Sequence, residues 1–495
     1  MAGEHVDVLI VGAGISGISA GYRLRESCPG KTFAILEARE AIGGTWDLFR
    51  FPGIRSDSDI TTLCFPFRPW TGPEQIVAGS SILEYVQATA REYGLDRAIR
   101  FGRRVVRAAW SSSDARWSVE IERTDTGETE VMTCGFLFTC TGYYQYDQGY
   151  TPEFEGIERF NGRVVHPQFW SSDVEHAGKR VVVIGSGATA VTTVPALAER
   201  AEHVTMLQRS PSYVIPFPAN DPISGLLARV LPARVAYSIV RWRNVKFQTL
   251  LWRLSRRRPV EVRRLLEWLA KRQLPDGYAV DTHFKPSYDP WDERMCVAVD
   301  GDLFDAITAG RVSVVTDRID RFTESGIVLM SGRELEADLV VTATGLNLQP
   351  LGGIQLSVDG DDVELSETFA YRGAMISEVP NLAFAFGYVN QSWTLGADLT
   401  AQHICRLLNH MAANGYDQCT PRHAPRAADT TPFFELSSGY VRRGVHRFPK
   451  QVTGSQWHRP QNYHEDRKAV MHGPVDDPAL EFKRVPARTP TEAAA

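Results

Sequence analysis

The sequence predicts an α/β fold of two parallel-sheet units, the first split in sequence around the second, with a helical insertion in the second. Three observations predict it. The run VDVLIVGAGISG passes from an apolar strand through glycines into a helix and is followed by a second strand, KTFAILEAR. The same order recurs in KRVVVIGSGATA, a helix, and HVTMLQRS. Two further apolar runs, CGFLFTCTGYY and EADLVVTATGLN, end in Thr-Gly and stand on either side of the second unit. Continuous apolar strands of this kind suit a sheet covered on both faces.

In the first unit, Gly12, Gly14 and Gly17 lie where the strand meets a helix running from Ser19 to Arg25. Glycines at these spacings permit a tight turn, close approach of backbone to a pyrophosphate, and close packing of helix on strand. Glu37 ends the next strand twenty residues after Gly17, where a carboxylate accepts the hydroxyls of an adenosine ribose. Strand, turn, helix, strand and acid together describe a Rossmann-like dinucleotide-binding domain. The second copy is Gly185-Ser186-Gly187-Ala188-Thr189-Ala190, with a helix from Val191 to Ala198. Its second strand ends in Arg209 and Ser210 instead of an acid. An acid would repel a 2′-phosphate, whereas arginine bonds one bidentately and serine adds a donor, so NADPH is favoured over NADH. A plain solvated cation is the other reading of Arg209. Two nucleotide sites in one chain point to a flavin beside a nicotinamide.

Residues 222–275 place apolar pairs at helical spacing (Leu226 and Val230, Val235 and Ile239, Leu250 and Leu254), broken by Pro232 and Pro259. Thirteen basic residues stand there against Glu261 and Glu267. The expectation is a solvated basic face whose apolar positions pack within the protein, with membrane association peripheral at most. The resulting division is 1–150 for the first part of the FAD-binding domain and 151–335 for the NADP-binding domain with its insertion. Residues 336–450 form the second part of the FAD-binding domain, and 451–495 an extension whose end, TPTEAAA, reads as disordered.

Composition narrows the function. With 495 residues and 43% hydrophobic content the chain builds more than one core. A net charge of −5 argues against nucleic acid as the partner and for small molecules. Seven scattered cysteines show neither C-x-x-C nor zinc-ligand spacing, so they read as reduced and cytoplasmic, with no metal. Cys28 and Cys64 are too far apart to make the redox pair of a disulfide reductase, which leaves oxygen as the hydride's final acceptor. Acids near the N-terminus argue against a signal peptide. The uncharged runs 339–358 and 379–397 are interrupted by Gly, Pro, Asn and Gln and read as strands and loops.

One stretch, GGTWDLFRFPGIRSD (43–57), has neither helical period nor clear strand alternation. It fits G-G-x-W, four residues, F-P-G, three residues, D. A second, FNGRVVHPQFWSSD, sets Phe160, Gly162, His166 and Trp170 just before the second glycine turn. Both resemble signatures of Baeyer–Villiger monooxygenases, the class B flavoprotein monooxygenases. The resemblance continues through YYQYDQGY, LQRSPSYVIP, YDPWDERMCVAVDGDLF and NQSWTL, so it covers nearly the whole chain and looks nearest to the ethionamide-activating branch. It implies that Ser16, Glu37, Gly44, Thr45, Trp46, Asp47, Leu48, Asp57 and the backbone at Val105 hold FAD. It implies that Arg55, Ser56, Asp57, the turn from Gly185 through Ala190 to Val191, Arg209 and Ser210 meet NADP. Arg294 falls at the family's catalytic arginine, preceded by Glu293 where many members carry lysine. The implied chemistry is attack on a ketone by an anionic peroxide carried at C4a of reduced flavin, giving esters or lactones, with oxidation of sulfides beside it. Such a site needs a fixed cation and little water. Arg294 supplies the charge, and Asp57 is expected to orient it. His166 reads as a linker between domains. A heteroatom-oxidising flavin monooxygenase, which needs no Arg294, is the alternative, and a non-enzymatic flavin redox sensor is a third reading.

Overall fold

The computed structural model describes residues 4–422, 424 and 430–486. The first sheet is centred on His5–Val11, which pairs in parallel with Phe33–Leu36 on one side and Thr129–Thr139 on the other. An antiparallel meander of Arg103–Ser111, Arg116–Arg123 and Thr129–Thr139 extends it. The second sheet is wholly parallel, in the order Val312–Thr316, His203–Gln208, Arg180–Ile184, Leu339–Thr342, Arg163–Val165. Its central strands are buried apart from Arg180 at the start of Arg180–Ile184, as their Val- and Leu-rich sequences require. The helices Ile15–Ser27 and Ala188–Leu197 follow the two glycine turns, each starting several residues earlier than the sequence suggests.

The division expected at 335/336 is corrected in one respect. Leu339–Thr342, expected to begin the returning part of the first unit, pairs with Arg180–Ile184 in the second sheet. Both Thr-Gly strands precede a crossing between the units, which explains their likeness. The chain leaves the first sheet through Tyr144–Gly149 and returns through Leu346–Leu348, and these two crossings pair with each other. It rejoins the first sheet at Gln355–Val358 and Leu382–Phe384. The tail TPTEAAA lies outside the described residues.

The insertion forms three helices, Pro222–Val230, Ala233–Arg257 and Pro259–Gln273, with breaks at Pro232 and Pro259. A proline at the first helical position lacks only an N–H that would be unpaired anyway. The expectation that their apolar residues pack inside is overturned. Leu226, Val230, Val235, Ile239, Leu250 and Leu254 are all exposed. The reason is that the long helix Ala233–Arg257 docks on the first unit by polar groups. Arg241 is buried and donates to the carbonyls of Thr61 (2.6 Å) and Cys64 (3.2 Å). Asn244 and Gln248 donate to the two carboxylate oxygens of Asp59 at 2.8 and 2.7 Å. The inward face therefore mixes these polar anchors with the small apolar side chains of Ala236, Val240 and Val245, and the larger apolar stripe points out.

Candidate functional site

Each glycine turn ends a buried strand and starts a helix whose first-turn N–H groups have no side-chain cap, which leaves them available to an anion. Gly12 has φ +104°, and a Cβ there would stand 2.7 Å from the carbonyl oxygen of Cys140. A Cβ on Gly17 would lie 1.8 Å from the Gly12 carbonyl oxygen, so helix and turn touch. At the end of Phe33–Leu36, buried Glu37 accepts the N–H of Ala13 at 2.7 Å and of Arg39 at 2.9 Å. Burial raises its pKa and those two donors only partly oppose the rise.

The stretch 43–57 wraps one side of the cavity that opens beyond this turn. Asp47 is buried between Arg39 and Arg50, 2.5 Å from each guanidinium, and neither it nor Leu48, both expected at FAD, lines the cavity. Thr45 bonds the Tyr146 hydroxyl at 3.0 Å. Ser56 is tied to the carbonyl of Ser58. Arg55 spans the two units: its guanidinium is 2.5 Å from Asp302 and donates to the Val297 carbonyl at 3.2 Å.

The cavity measures about 590 Å³ and takes its walls from both units. Of the residues singled out by sequence, Gly12, Gly14, Ser16, Glu37, Gly44, Thr45, Trp46, Arg55, Ser56, Asp57 and Val105 line it from the first unit. Ala188, Thr189 and Arg294 line it from the second. Arg294 is half-buried; its Nε is buried and without a hydrogen-bond partner among the described residues. Burial disfavours its charge, but the oxygens of Tyr143, Tyr440 and Asp57 outweigh that and its pKa lies above the ordinary value. Asp57 and Arg294 share the cavity, yet no ion pair joins them among the described residues.

The second turn is partly outside this cavity. Ser186 donates to the Ser210 carbonyl at 2.9 Å, and Arg209 and Ser210 stand exposed at the end of His203–Gln208. Gly187 is open: a Cβ there meets no atom within 4 Å. The side chains of Ala190 and Val191, the end of the turn expected at NADP, are fully buried in the core. The periodicity of the helix turns their side chains inward, away from the mouth that Ala188 and Thr189 face. Glu293 is half-buried; burial raises its pKa against the lowering by Arg442 and Arg209.

Sequence reasoning assigned no role to the aromatic wall. Tyr143 and Tyr144 bond through their hydroxyls at 2.6 Å, Tyr143 stacks on Trp393 at 5.1 Å, and Trp393 donates its indole N–H to Ser16 Oγ at 2.8 Å. Their signal was the aromatic-rich YYQYD and NQSWTL. His166 lies between the crossings, with Nε2 3.0 Å from the Gly345 carbonyl while Nδ1 accepts the Gln168 N–H.

The flavin-binding monooxygenase-like family model matches residues 6–351. The FAD-containing monooxygenase EthA of Mycobacterium tuberculosis is 51% identical over 485 residues, covering 98% of this chain and 99% of that one. The probable FAD-binding monooxygenase AlmA of Acinetobacter baylyi is 46% identical over 483 residues, 97% of each chain. Among solved structures, an oxidized steroid monooxygenase bound to NADP superimposes with TM-score 0.77 at 22% identity, over 97% of this chain and 100% of the other. Cyclohexanone monooxygenase from Rhodococcus sp. Phi1 bound to NADP+ gives TM-score 0.77 at 19% identity, over 98% and 100%. Those two share the fold. The motif resemblance, the family model and the full-length relatives agree: this chain belongs to the flavin-binding monooxygenase-like family.

Proposed function

We propose that this chain is an FAD-dependent, NADPH-consuming Baeyer–Villiger monooxygenase that inserts one oxygen atom of O2 beside a ketone carbonyl, and that it also oxidises thioethers. The observation that carries the reading is Arg294, a cation without an ion-pair partner among the described residues, brought by the second unit into the cavity walled by the first unit's glycine turn. A redox sensor has no need of that charge.

The residues fit both cofactors. Gly12 and Gly14 leave backbone open to a pyrophosphate, the uncapped helix beginning at Ile15 offers N–H groups, and Glu37 faces the cavity as a ribose acceptor. Gly44, Thr45 and Trp46 line the same space. The open turn at Gly187 and exposed Arg209 suit a dinucleotide with a 2′-phosphate. The names of the relatives as FAD-containing, and of the structural neighbours as bound to NADP, support this set. FAD when bound supplies hydride acceptance from NADPH and activation of O2. Arg294 stabilises negative charge that develops on oxygen in the cavity, beside the apolar ring surface that Tyr143, Tyr144 and Trp393 give its wall. Tyr143, Tyr440 and Asp57 together favour the charged form of Arg294 against its burial. The free, buried cysteines support a cytoplasmic setting.

The test is Arg294→Ala. One lost electrostatic donor of this type costs about 2.7–4 kcal/mol, roughly a hundred- to thousand-fold in rate. Anaerobic bleaching of the flavin by NADPH should survive and ester yield should collapse, read by stopped-flow absorbance and mass spectrometry. Ester formed at near the parent rate would move the heteroatom-oxidising alternative ahead.

A further inference from the structure

Twelve of the fifteen large hydrophobic side chains that stand exposed among the described residues fall between Ile223 and Trp268, in the three helices of the insertion. Monomeric surfaces scatter such residues singly, and a concentration of them marks an interaction site. They are also ordered. On Ala233–Arg257, Val235, Ile239, Trp242 and Leu250 recur at helical spacing along one face of a helix about 38 Å long. Trp242 is 59% exposed and Leu250 64%. Pro222–Val230 packs on this helix and adds Val230, 66% exposed; Pro259–Gln273 packs on it too and adds Trp268.

The charge around these residues identifies the occupant. Residues 222–275 carry thirteen basic side chains and two acidic ones, in a chain whose net charge is −5, so the rest of the molecule is acidic. Some of these bases are consumed within the fold, Arg241 on carbonyls and Arg243 on Asp221. Arg234, Lys246, Arg257, Arg264 and Lys271 are exposed, with no ion pair among the described residues, and Arg272 lies over the Trp268 ring at 4.8 Å. A twofold contact with a second copy would set this positive face against itself. Exposed aliphatic and Trp side chains bordered by Lys and Arg, with the opposite face docked on the protein, are what an interfacial helix needs to sit in the headgroup region of an anionic bilayer.

We infer that the insertion is a peripheral docking surface for anionic phospholipid membrane, with the apolar stripe of Ala233–Arg257 entering the interface and the flanking bases meeting the headgroups. No membrane span is involved: among the described residues no helix is long and apolar enough to cross a bilayer. The inward face of the same helix holds Gln391, a cavity-lining residue, through Val245 and Thr249, so docking sets the cavity about one helix diameter, roughly 10 Å, from the lipid.

The test is flotation of the FAD-loaded full chain with vesicles of phosphatidylcholine containing about 30% phosphatidylglycerol, against pure phosphatidylcholine. The expected result is binding to the anionic vesicles, weakened but not abolished by salt, and at least about tenfold weaker to neutral ones. Trp242→Ser with Leu250→Ser, both at solvent-facing positions, should lower anionic binding about tenfold or more while flavin content and melting temperature stay at parent values. Arg257→Glu with Arg264→Glu should do the same through charge alone, which keeps the test standing if the first pair fails to fold. Absence of flotation, or parent-like flotation of both variants, would overturn the inference. So would a dimer in sedimentation velocity that the Trp242→Ser, Leu250→Ser pair disperses while vesicles bind nothing.

Discussion

Arg209 is the residue on which the proposed preference for NADPH over NADH rests. It is exposed at the strand end that in the first unit carries Glu37, and no ion pair among the described residues holds it. A charge-assisted contact to a 2′-phosphate is worth about 1.5–3 kcal/mol, so Arg209→Ala should weaken NADPH use roughly 10- to 100-fold and leave NADH use near the parent level. Steady-state kinetics with both nucleotides checks this, and equal losses would remove Arg209 from the phosphate. A second residue sets the response to acid. His403 is buried, with neither ring nitrogen hydrogen-bonded among the described residues, and burial, reinforced by Arg372 and Arg406, depresses its pKa from about 6.5 to about 3. Above pH 6.5 both folded and unfolded states are neutral at this site and nothing is lost. Below it the unfolded chain takes up a proton that the folded chain refuses, so stability falls as pH drops toward 3, by about 2 kcal/mol at pH 5. Denaturant midpoints at pH 7 and pH 5 should draw closer together in His403→Leu than in the parent; an unchanged interval would show that other groups govern the acid limb.

At the scale of elements, the two glycine turns look alike in sequence and differ in tolerance. A methyl on Gly17 would strike the Gly12 carbonyl oxygen, backbone against backbone, so Gly17→Ala should cost roughly 1–3 kcal/mol and loosen FAD. Gly187 faces open space, so Gly187→Ala should melt like the parent and show its effect only as a raised KM for NADPH. Thermal melts with flavin content and NADPH kinetics separate the two; a Gly187→Ala protein that melts early would contradict the open turn. These turns were legible in sequence because strand, glycines, helix and acid are local features whose geometry follows from a few residues. The insertion's helices were legible too, down to the breaks at Pro232 and Pro259. Their orientation was not. Amphipathic reasoning turns apolar residues inward, and here Arg241, Asn244 and Gln248 take the inward face because Asp59 and the carbonyls of Thr61 and Cys64 receive them. The place of Leu339–Thr342 is hidden for a similar reason: an apolar strand does not reveal which sheet it joins.

At the scale of the whole molecule, two sheets are joined by paired crossings, with His166 between them and Arg55 reaching from the first unit to Asp302 of the second. That junction makes the cavity, and it explains what the sequence left unread. Arg294 and Asp57 were singled out far apart in the chain and do meet in one cavity, but the direct contact expected between them is absent among the described residues. Tyr143, Tyr144 and Trp393 became part of the site only through long-range packing. The proposed function joins nicotinamide-fed reduction to oxygen insertion at this one place, and the fate of the oxygen atom tests that proposal most directly. The purified protein would be given FAD, NADPH, heavy-isotope dioxygen and a panel of linear and cyclic ketones, and the products weighed by mass spectrometry. The expected result is an ester or lactone carrying one heavy oxygen per molecule, with no label acquired from isotopic water in the converse experiment. NADPH consumption with no labelled ester from any ketone, all label appearing in hydrogen peroxide, would contradict it.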